Sequence, residues 1–359
     1  MATADPEILF ERRGTAGLVT LNRPKALNAV TLGMVRALTA QLEQWARDPA
    51  VTRVVVSAAG GRAFSAGGDI RALYDLGRAG RHQDMLPFWR EEYTLNATIK
   101  RYPKPYVSLI DGIVMGGGVG VSVHGSHRVA GDRFLFAMPE VSIGFFPDVG
   151  ATWFLPRMPG ELGTYCALTG ERLGPADGVA GGIATHRVSS ARFGDLADAL
   201  CGAVPVDAVL AAFAESAGDP ALARLRSAID RLFKADSVED ILTALDRDAA
   251  SGSPDAEFAG RTAAAIRTKS PVSLKLALAQ VRAGKTLPFD ACMQTEFRIV
   301  SRMIHGHDFY EGVRAVIIDK DNAPRWQPAA LADVAPVEVE RHFAPLGADE
   351  LVLRDREQS

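Results

Sequence analysis

Two carboxylates eight residues apart, Glu140 and Asp148, stand in apolar company: Ala137-Met138-Pro139 precedes the first and Phe145-Phe146-Pro147 the second. Acids in such surroundings have raised pKa values unless they are paired or hydrogen-bonded. That property suits a general acid, a general base or a nucleophile. The competing structural readings are a helix N-cap for Asp148 and a buried salt bridge for Glu140. Two glycine-rich stretches lie upstream, Gly60–Gly68 and Gly116-Gly117-Gly118. Each follows an apolar, strand-like run and precedes a helix-like one, an order that leaves unpaired backbone N–H groups at the helix start. Such donors hold a phosphate, or the oxyanion that forms when a carbonyl is attacked. The second stretch lacks the Lys-Ser/Thr of a phosphate loop and misses the dinucleotide spacing, so a carbonyl site is the better reading. If the two helix starts converge, the N–H groups of Gly68 and Gly117 make a two-donor oxyanion hole. The plain alternative is two unrelated tight turns, with the glycine triplet serving only close helix–strand packing.

The elements that must position these groups follow from periodicity and punctuation. Ile8–Phe10 and Leu18–Leu21 read as a hairpin. Thr31 is a plausible N-cap for an amphipathic helix through about Arg47, with Met34, Leu38, Leu42 and Trp45 on its apolar face. Arg53–Ser57 and Val107–Ile110 read as buried strands. Gln83–Lys100 reads as a helix, containing Arg90-Glu91-Glu92-Tyr93 and ended by Tyr102-Pro103-Lys104-Pro105. The apolar run Val119–Val123 is expected to be helical. Arg128–Ala130 and Phe134–Met138 are expected to pair around a Gly131-Asp132 turn. Leu162–Thr169 reads as a helix capped by Gly170. Strand, loop and helix recur twice before residue 125, at a spacing of about fifty residues, which points to an α/β core. Beyond residue 190 the texture changes to alanine-rich helical stretches, among them Leu287–Ile304, and Val337–Ser359 reads as a polar tail. The expected organisation is a core over residues 1–190 and a helical region over 191–359.

At 359 residues the chain has room for one large domain or two ordinary ones, with 47% hydrophobic and 23% charged residues. A formal net charge of -3 argues against a nucleic-acid surface. No apolar segment reaches the roughly 18 residues needed to span a membrane. The acidic start, MATADPEILFERRG, has no apolar core of a secretory signal and is unlike a transit peptide. Cys166, Cys201 and Cys292 are isolated, which fits buried thiols in a reducing cytoplasm and not a disulfide framework or zinc knot. No metal site is expected. His305 and His307 carry no assignable chemistry and read as structural.

Taken together, Leu21-Asn-Arg-Pro-Lys-Ala-Leu-Asn28, Ala63-Phe-Ser-Ala-Gly-Gly-Asp-Ile70, Gly116-Gly-Gly118 and Met138-Pro-Glu140 resemble the enoyl-CoA hydratase/isomerase (crotonase) superfamily. The resemblance implies a crotonase-like spiral of ββα turns that binds acyl-coenzyme A, with the C-terminal helical region completing the cover of the active site. It implies an oxyanion hole from Gly68 and Gly117, and coenzyme A contacts from Lys25, Ala26 and Leu27 and from Ala66, Gly67, Gly68, Asp69 and Ile70. Hydratases of the superfamily have a glutamate two residues beyond the glycine triplet, where this chain has Gly120, and a glycine where it has Asp148. A glycine has no side chain to activate water, help typically worth 10²–10⁴-fold. Both differences match a branch that hydrolyses short 3-hydroxyacyl-CoA thioesters, as do Arg90–Tyr93 and Gly306–Trp326. In that branch Glu92, Gly117, Glu140 and Asp148 contact substrate. The expected reaction is thioester hydrolysis in branched-chain (valine) breakdown, with Glu140 and Asp148 catalytic. Coenzyme A arrives as part of the substrate, so no cofactor is required. Superfamily relatives form trimers or pairs of trimers. The rival readings are an enoyl-CoA hydratase or isomerase using one carboxylate, and a non-catalytic acyl-CoA-binding protein.

Overall fold

The computed structural model describes residues 5–353. The chain divides into two compact units that interleave along the sequence. The first comprises residues up to Asp69, Glu91–Ala137 and Arg172–Ala221; the second comprises Ile70–Arg90, Met138–Glu171 and residues from Leu222 onward. The division therefore does not fall at one boundary near residue 190. The helices Phe193–Leu200 and Val206–Phe213 belong with the first unit because Leu196, Leu200, Val206 and Leu210 pack on Val55, Val107, Val129 and Val188. Each such aliphatic side chain contributes about 1.5–3 kcal/mol when fully buried.

All the strands of the described residues lie in the first unit. They are β1 (Ile8–Arg13), β2 (Ala16–Leu21), β3 (Arg53–Ala58), β4 (Ala63–Ser65), β5 (Tyr106–Ile110), β6 (Ile113–Met115), β7 (His127–Ala130), β8 (Leu135–Ala137) and β9 (His186–Arg187). The hairpin β1–β2 is antiparallel, with Ile8 opposite Leu21. From β2 onward the six-stranded sheet runs parallel in the order β1-β2-β3-β5-β7-β9, and a second, three-stranded parallel sheet has the order β4-β6-β8. Each of the pairs β3–β4, β5–β6 and β7–β8 gives one strand to each sheet, so the chain coils through successive ββα turns, the spiral expected from the sequence.

That coil corrects one expectation. The strands β7 and β8 do not pair with each other; β7 joins β5, and β8 joins β6 with Val114 opposite Phe136. In a coil each strand pairs with its counterpart one turn earlier, not with its neighbour in sequence. A second correction concerns the run after the glycine triplet. Only Gly117–Gly120 is helical, and turns follow. Glycine is a poor helix former, and the Ser122 hydroxyl donates back to the Gly118 carbonyl at 2.8 Å. The Thr31 cap is as expected: Thr31 Oγ1 accepts from Met34 N at 3.1 Å, and the helix runs Leu32–Arg47.

Every regular element among the second unit's described residues is helical. Its longest members are Pro271–Gly284 and Phe289–Met303, with Leu162–Thr169 ending at Gly170 in the left-handed region, φ 68. The expected polar tail is in part structured. A helix spans Pro336–Phe343, His342 and Leu351 are buried, and Arg298 pairs with Glu350 at 2.9 Å. These anchors are too sparse to show as a periodic pattern in the sequence. Residues 354–359 of that tail lie outside the described residues.

Candidate active-site residues

In the first unit the two glycine loops meet. Val30 N donates to Gly67 O at 2.8 Å and Asp69 N donates to Val30 O at 2.9 Å, a short parallel bridge that fixes the strand-like path of residues 67–69. Because Gly67 O and Asp69 N point toward Val30, the Gly68 amide between them faces the other way. Gly117 lies there. A methyl group placed on its Cα would sit 3.1 Å from Gly68 N and 2.6 Å from Glu92 Oε1. Only a residue without a side chain leaves that space open. Gly117 is the first residue of its helical turn, so its N–H has no acceptor within the turn. Glu92, on the helix His82–Lys100, is 2% exposed, whereas Glu91 faces Arg36 at 2.7 Å. One acid of the Arg90–Tyr93 element is thus on the solvated face and the other is inside.

The expected coenzyme A segments are neighbours in the same unit. Pro24–Ala26 form one 3₁₀ turn, and Leu27 and Asn28 follow with φ of 50 and 55. Buried Asn28 holds this turn. Its Nδ2 donates to Ala59 O and Ala63 O, both at 2.9 Å, and its Oδ1 accepts from Arg23 N. Ala66 N donates to Leu27 O at 3.0 Å, which sets the Lys25–Leu27 turn beside Ala66–Asp69. Arg23 pairs with Asp69 at 3.0 Å, and Lys25 is exposed. Ile70 starts the helix Ile70–Arg78, where the chain passes into the second unit.

In the second unit the acids come together. Glu140 opens the 3₁₀ turn Glu140–Ile143 and is 6% exposed; Asp148 is 5% exposed. Burial is the main force pushing the Glu140 carboxyl well above its ordinary range, with the charge of Asp148 second and that of Glu296 adding to it. Glu140 Oε2 is buried without a hydrogen-bond partner. The surroundings are aromatic: Phe145 lies 5.8 Å from Trp89, 4.7 Å from Phe146 and 5.7 Å from Phe309 between ring centres. Among the described residues Glu140 has no salt-bridge partner, so that reading is not what they contain. Nor does Asp148 cap the short helix Ala151–Phe154, whose N-cap is Gly150.

Glu296 was not singled out in the sequence. Its carboxyl is pushed up to about 8, first by burial and then by Asp148, against the opposing pull of the Gly150 and Thr152 amides. A signal for it exists. The helix Phe289–Met303 buries Phe289, Cys292, Met293, Val300 and Met303, and Glu296 falls on that same stripe. An acid on the apolar stripe of an amphipathic helix marks a buried charge. The histidines near it in sequence make local contacts: the His305 ring lies 4.7 Å from that of His82, tilted by 41°, and His307 Nε2 contacts Arg325 O at 2.9 Å.

Known proteins resemble this chain over nearly its whole length. A profile described as enoyl-CoA hydratase/isomerase matches residues 16–343. The zebrafish (Danio rerio) protein named 3-hydroxyisobutyryl-CoA hydrolase, mitochondrial, is 46% identical over 98% of this chain and 92% of its own length. The human (Homo sapiens) protein of the same name is 43% identical over 97% and 91%. Among solved structures, a carnitinyl-CoA dehydratase from Mycobacterium thermoresistibile is 43% identical with a TM-score of 0.91, covering 97% of this chain and 99% of that one. An enoyl-CoA hydratase from Rhodobacter sphaeroides is 40% identical with a TM-score of 0.89, covering 97% and 100%.

Proposed function

The chain belongs to the enoyl-CoA hydratase/isomerase family, and from that premise we propose that it hydrolyses the thioester of 3-hydroxyisobutyryl-CoA, or of a closely related short 3-hydroxyacyl-CoA, to the free acid and coenzyme A. The observation that carries this reading is Glu140: a buried carboxyl with one oxygen unpartnered and a raised pKa. At the position where hydratases of the family place a second glutamate, this chain has Gly120. The near full-length relatives named as hydrolases support the same substrate.

In the proposed reaction the amides of Gly68 and Gly117 receive the developing negative charge on the thioester oxygen. Losing one such donor typically costs about 2.7–4 kcal/mol of transition-state stabilisation. Glu140 drives the addition to the carbonyl carbon by one of two balanced routes. Its oxygen adds directly, the C–S bond breaks, the thiolate leaves and takes a proton, and water then cleaves the mixed anhydride and restores the carboxylate. Alternatively Glu140 takes a proton from water as the water oxygen adds, and the thiolate leaves with that proton. Asp148 orients the substrate hydroxyl or assists proton transfer, and Glu92 binds the acyl portion. Lys25–Leu27 and Ala66–Ile70 bind coenzyme A, with Lys25 meeting a phosphate as a point charge. Neither route calls for a metal or redox cofactor. A single turnover in ¹⁸O-water, followed by mass analysis of the Glu140 peptide, separates the two.

A second reading, hydration or dehydration at the acyl double bond, is favoured by the names of the two solved relatives. A panel of acyl-CoA esters scored for thiol release, alongside crotonyl-CoA hydration, decides between them. Release of thiol from 3-hydroxyisobutyryl-CoA well above that from other esters is the expected result; hydration without thiol release would overturn it. A place in valine breakdown follows from that substrate. No helix among the described residues is long and apolar enough to cross a membrane. Buried Cys166, Cys201 and Cys292, all present as thiols, support a reducing compartment, which we take to be the cytoplasm, although the named relatives are mitochondrial proteins. A trimer or hexamer is the assembly to look for by light scattering.

A further inference from the structure

We propose that Glu296 is a positioning residue for this reaction: its two oxygens grip the Gly150 and Thr152 amides and so fix the loop that presents Asp148. The proposal rests on the hydrolase reading for Asp148's role and adds a residue that the reading leaves unused. Glu296 is 0% exposed. Its Oε2 accepts from Gly150 N at 2.7 Å and its Oε1 from Thr152 N at 2.8 Å. On the other side of Asp148, Gln280 Nε2 donates to the Pro147 carbonyl. The loop is therefore tied to the helix Pro271–Gly284 before Asp148 and to the helix Phe289–Met303 after it.

The backbone between the ties needs such support. Val149 has φ 52 and Gly150 φ 92, and left-handed backbone is unfavourable for a β-branched residue. Conformations of this kind persist only where the surroundings over-determine them. The helix Pro271–Gly284 also approaches the loop closely: a methyl group on Gly284 would lie 1.8 Å from Thr152 O. Once Glu296 is ionised, as pH rises through about 8, its bonds from the two amides are charge-assisted and roughly twice as strong as neutral ones. A neutral amide side chain accepts at one end only and so holds one of the two N–H groups.

Glu296 also acts electrostatically on Glu140. The titratable groups facing it are Asp148 and Glu140, and the Cys292 thiol one turn earlier on its own helix. Its charge raises Glu140, so the apparent pKa values of the acids belong to the set and not to one residue.

The test is Glu296→Gln in the full chain, with thiol release from 3-hydroxyisobutyryl-CoA followed across pH. The expected result is a kcat lowered at least tenfold, KM within threefold, and the acid limb of the kcat/KM profile moved to lower pH, because one negative neighbour of Glu140 is gone. A Glu296→Asp variant keeps the charge on a shorter stem; its kcat should fall while the acid limb stays in place. Wild-type kcat and an unmoved limb in Glu296→Gln would overturn the proposal. Loss of fold in both variants would also overturn it and leave Glu296 a structural strut. If the wild-type protein releases no thiol from any ester, the hydrolase reading has failed instead, and the same kcat and KM comparison is then made on crotonyl-CoA hydration.

Discussion

The amide pair of the first unit and the acid cluster of the second are built in opposite ways. Gly68 and Gly117 offer main-chain N–H groups that do not titrate, and their positions are set by backbone bonds such as Val30 N to Gly67 O and by the missing side chain at Gly117. Glu140 and Glu296 offer side-chain carboxyls whose behaviour is set by burial and by neighbouring charge, that of Asp148 above all. A backbone donor is damaged by adding atoms; a buried acid is changed by removing charge or by moving the pH. Substitutions in the two units should therefore fail in different ways.

The largest effect is expected for Glu140→Ala, which should lower kcat by about 10²–10⁴-fold with the thermal midpoint unchanged or raised, because a buried, incompletely bonded carboxyl is removed. Retained thiol release would take Glu140 out of the mechanism. Next comes Gly117→Ala. Its methyl group meets Glu92 Oε1 at 2.6 Å and Gly68 N at 3.1 Å, and kcat should fall about 10²–10³-fold. Here the thermal midpoint should also drop, and a variant as active and as stable as the wild type would show that the glycine contact is dispensable.

A stability measurement sharpens the contrast further. The folded-state pKa of Glu140 is raised, so the folded protein is favoured while the acid is protonated in both states, below the unfolded value of about 4.3. That contribution is lost progressively as pH rises through the folded-state pKa. Glu140→Gln removes the loss, so the thermal midpoint of the variant relative to wild type should climb as pH rises from the unfolded value toward the raised folded-state one. A constant difference across that range would mean that Glu140 is not charged at the expense of the fold; changes at Gly117 should show no such trend. The smallest effect is expected for exposed Lys25. Lys25→Ala should raise KM for the coenzyme A ester roughly two- to fivefold at unchanged kcat, as for one solvent-screened ion pair. The shift should shrink further at high salt, and an effect on kcat instead would place Lys25 elsewhere in the reaction.

Features that rest on near neighbours were legible in the sequence. The hairpin, the Thr31-capped helix, the Gly170 cap and the apolar settings of Glu140 and Asp148 depend on residues a few positions apart, where propensity and periodicity act directly. What only the tertiary structure decided was which distant pieces meet: β7 with β5 and β8 with β6, Gly117 against Gly68, and Glu296 on the amides of the Asp148 loop, 146 residues from Gly150. The residue types on the Phe289–Met303 stripe mark Glu296 as buried but say nothing of what it is buried against. That partner is chosen by strand pairing and helix packing over the whole chain, and a one-dimensional pattern records only which face turns inward.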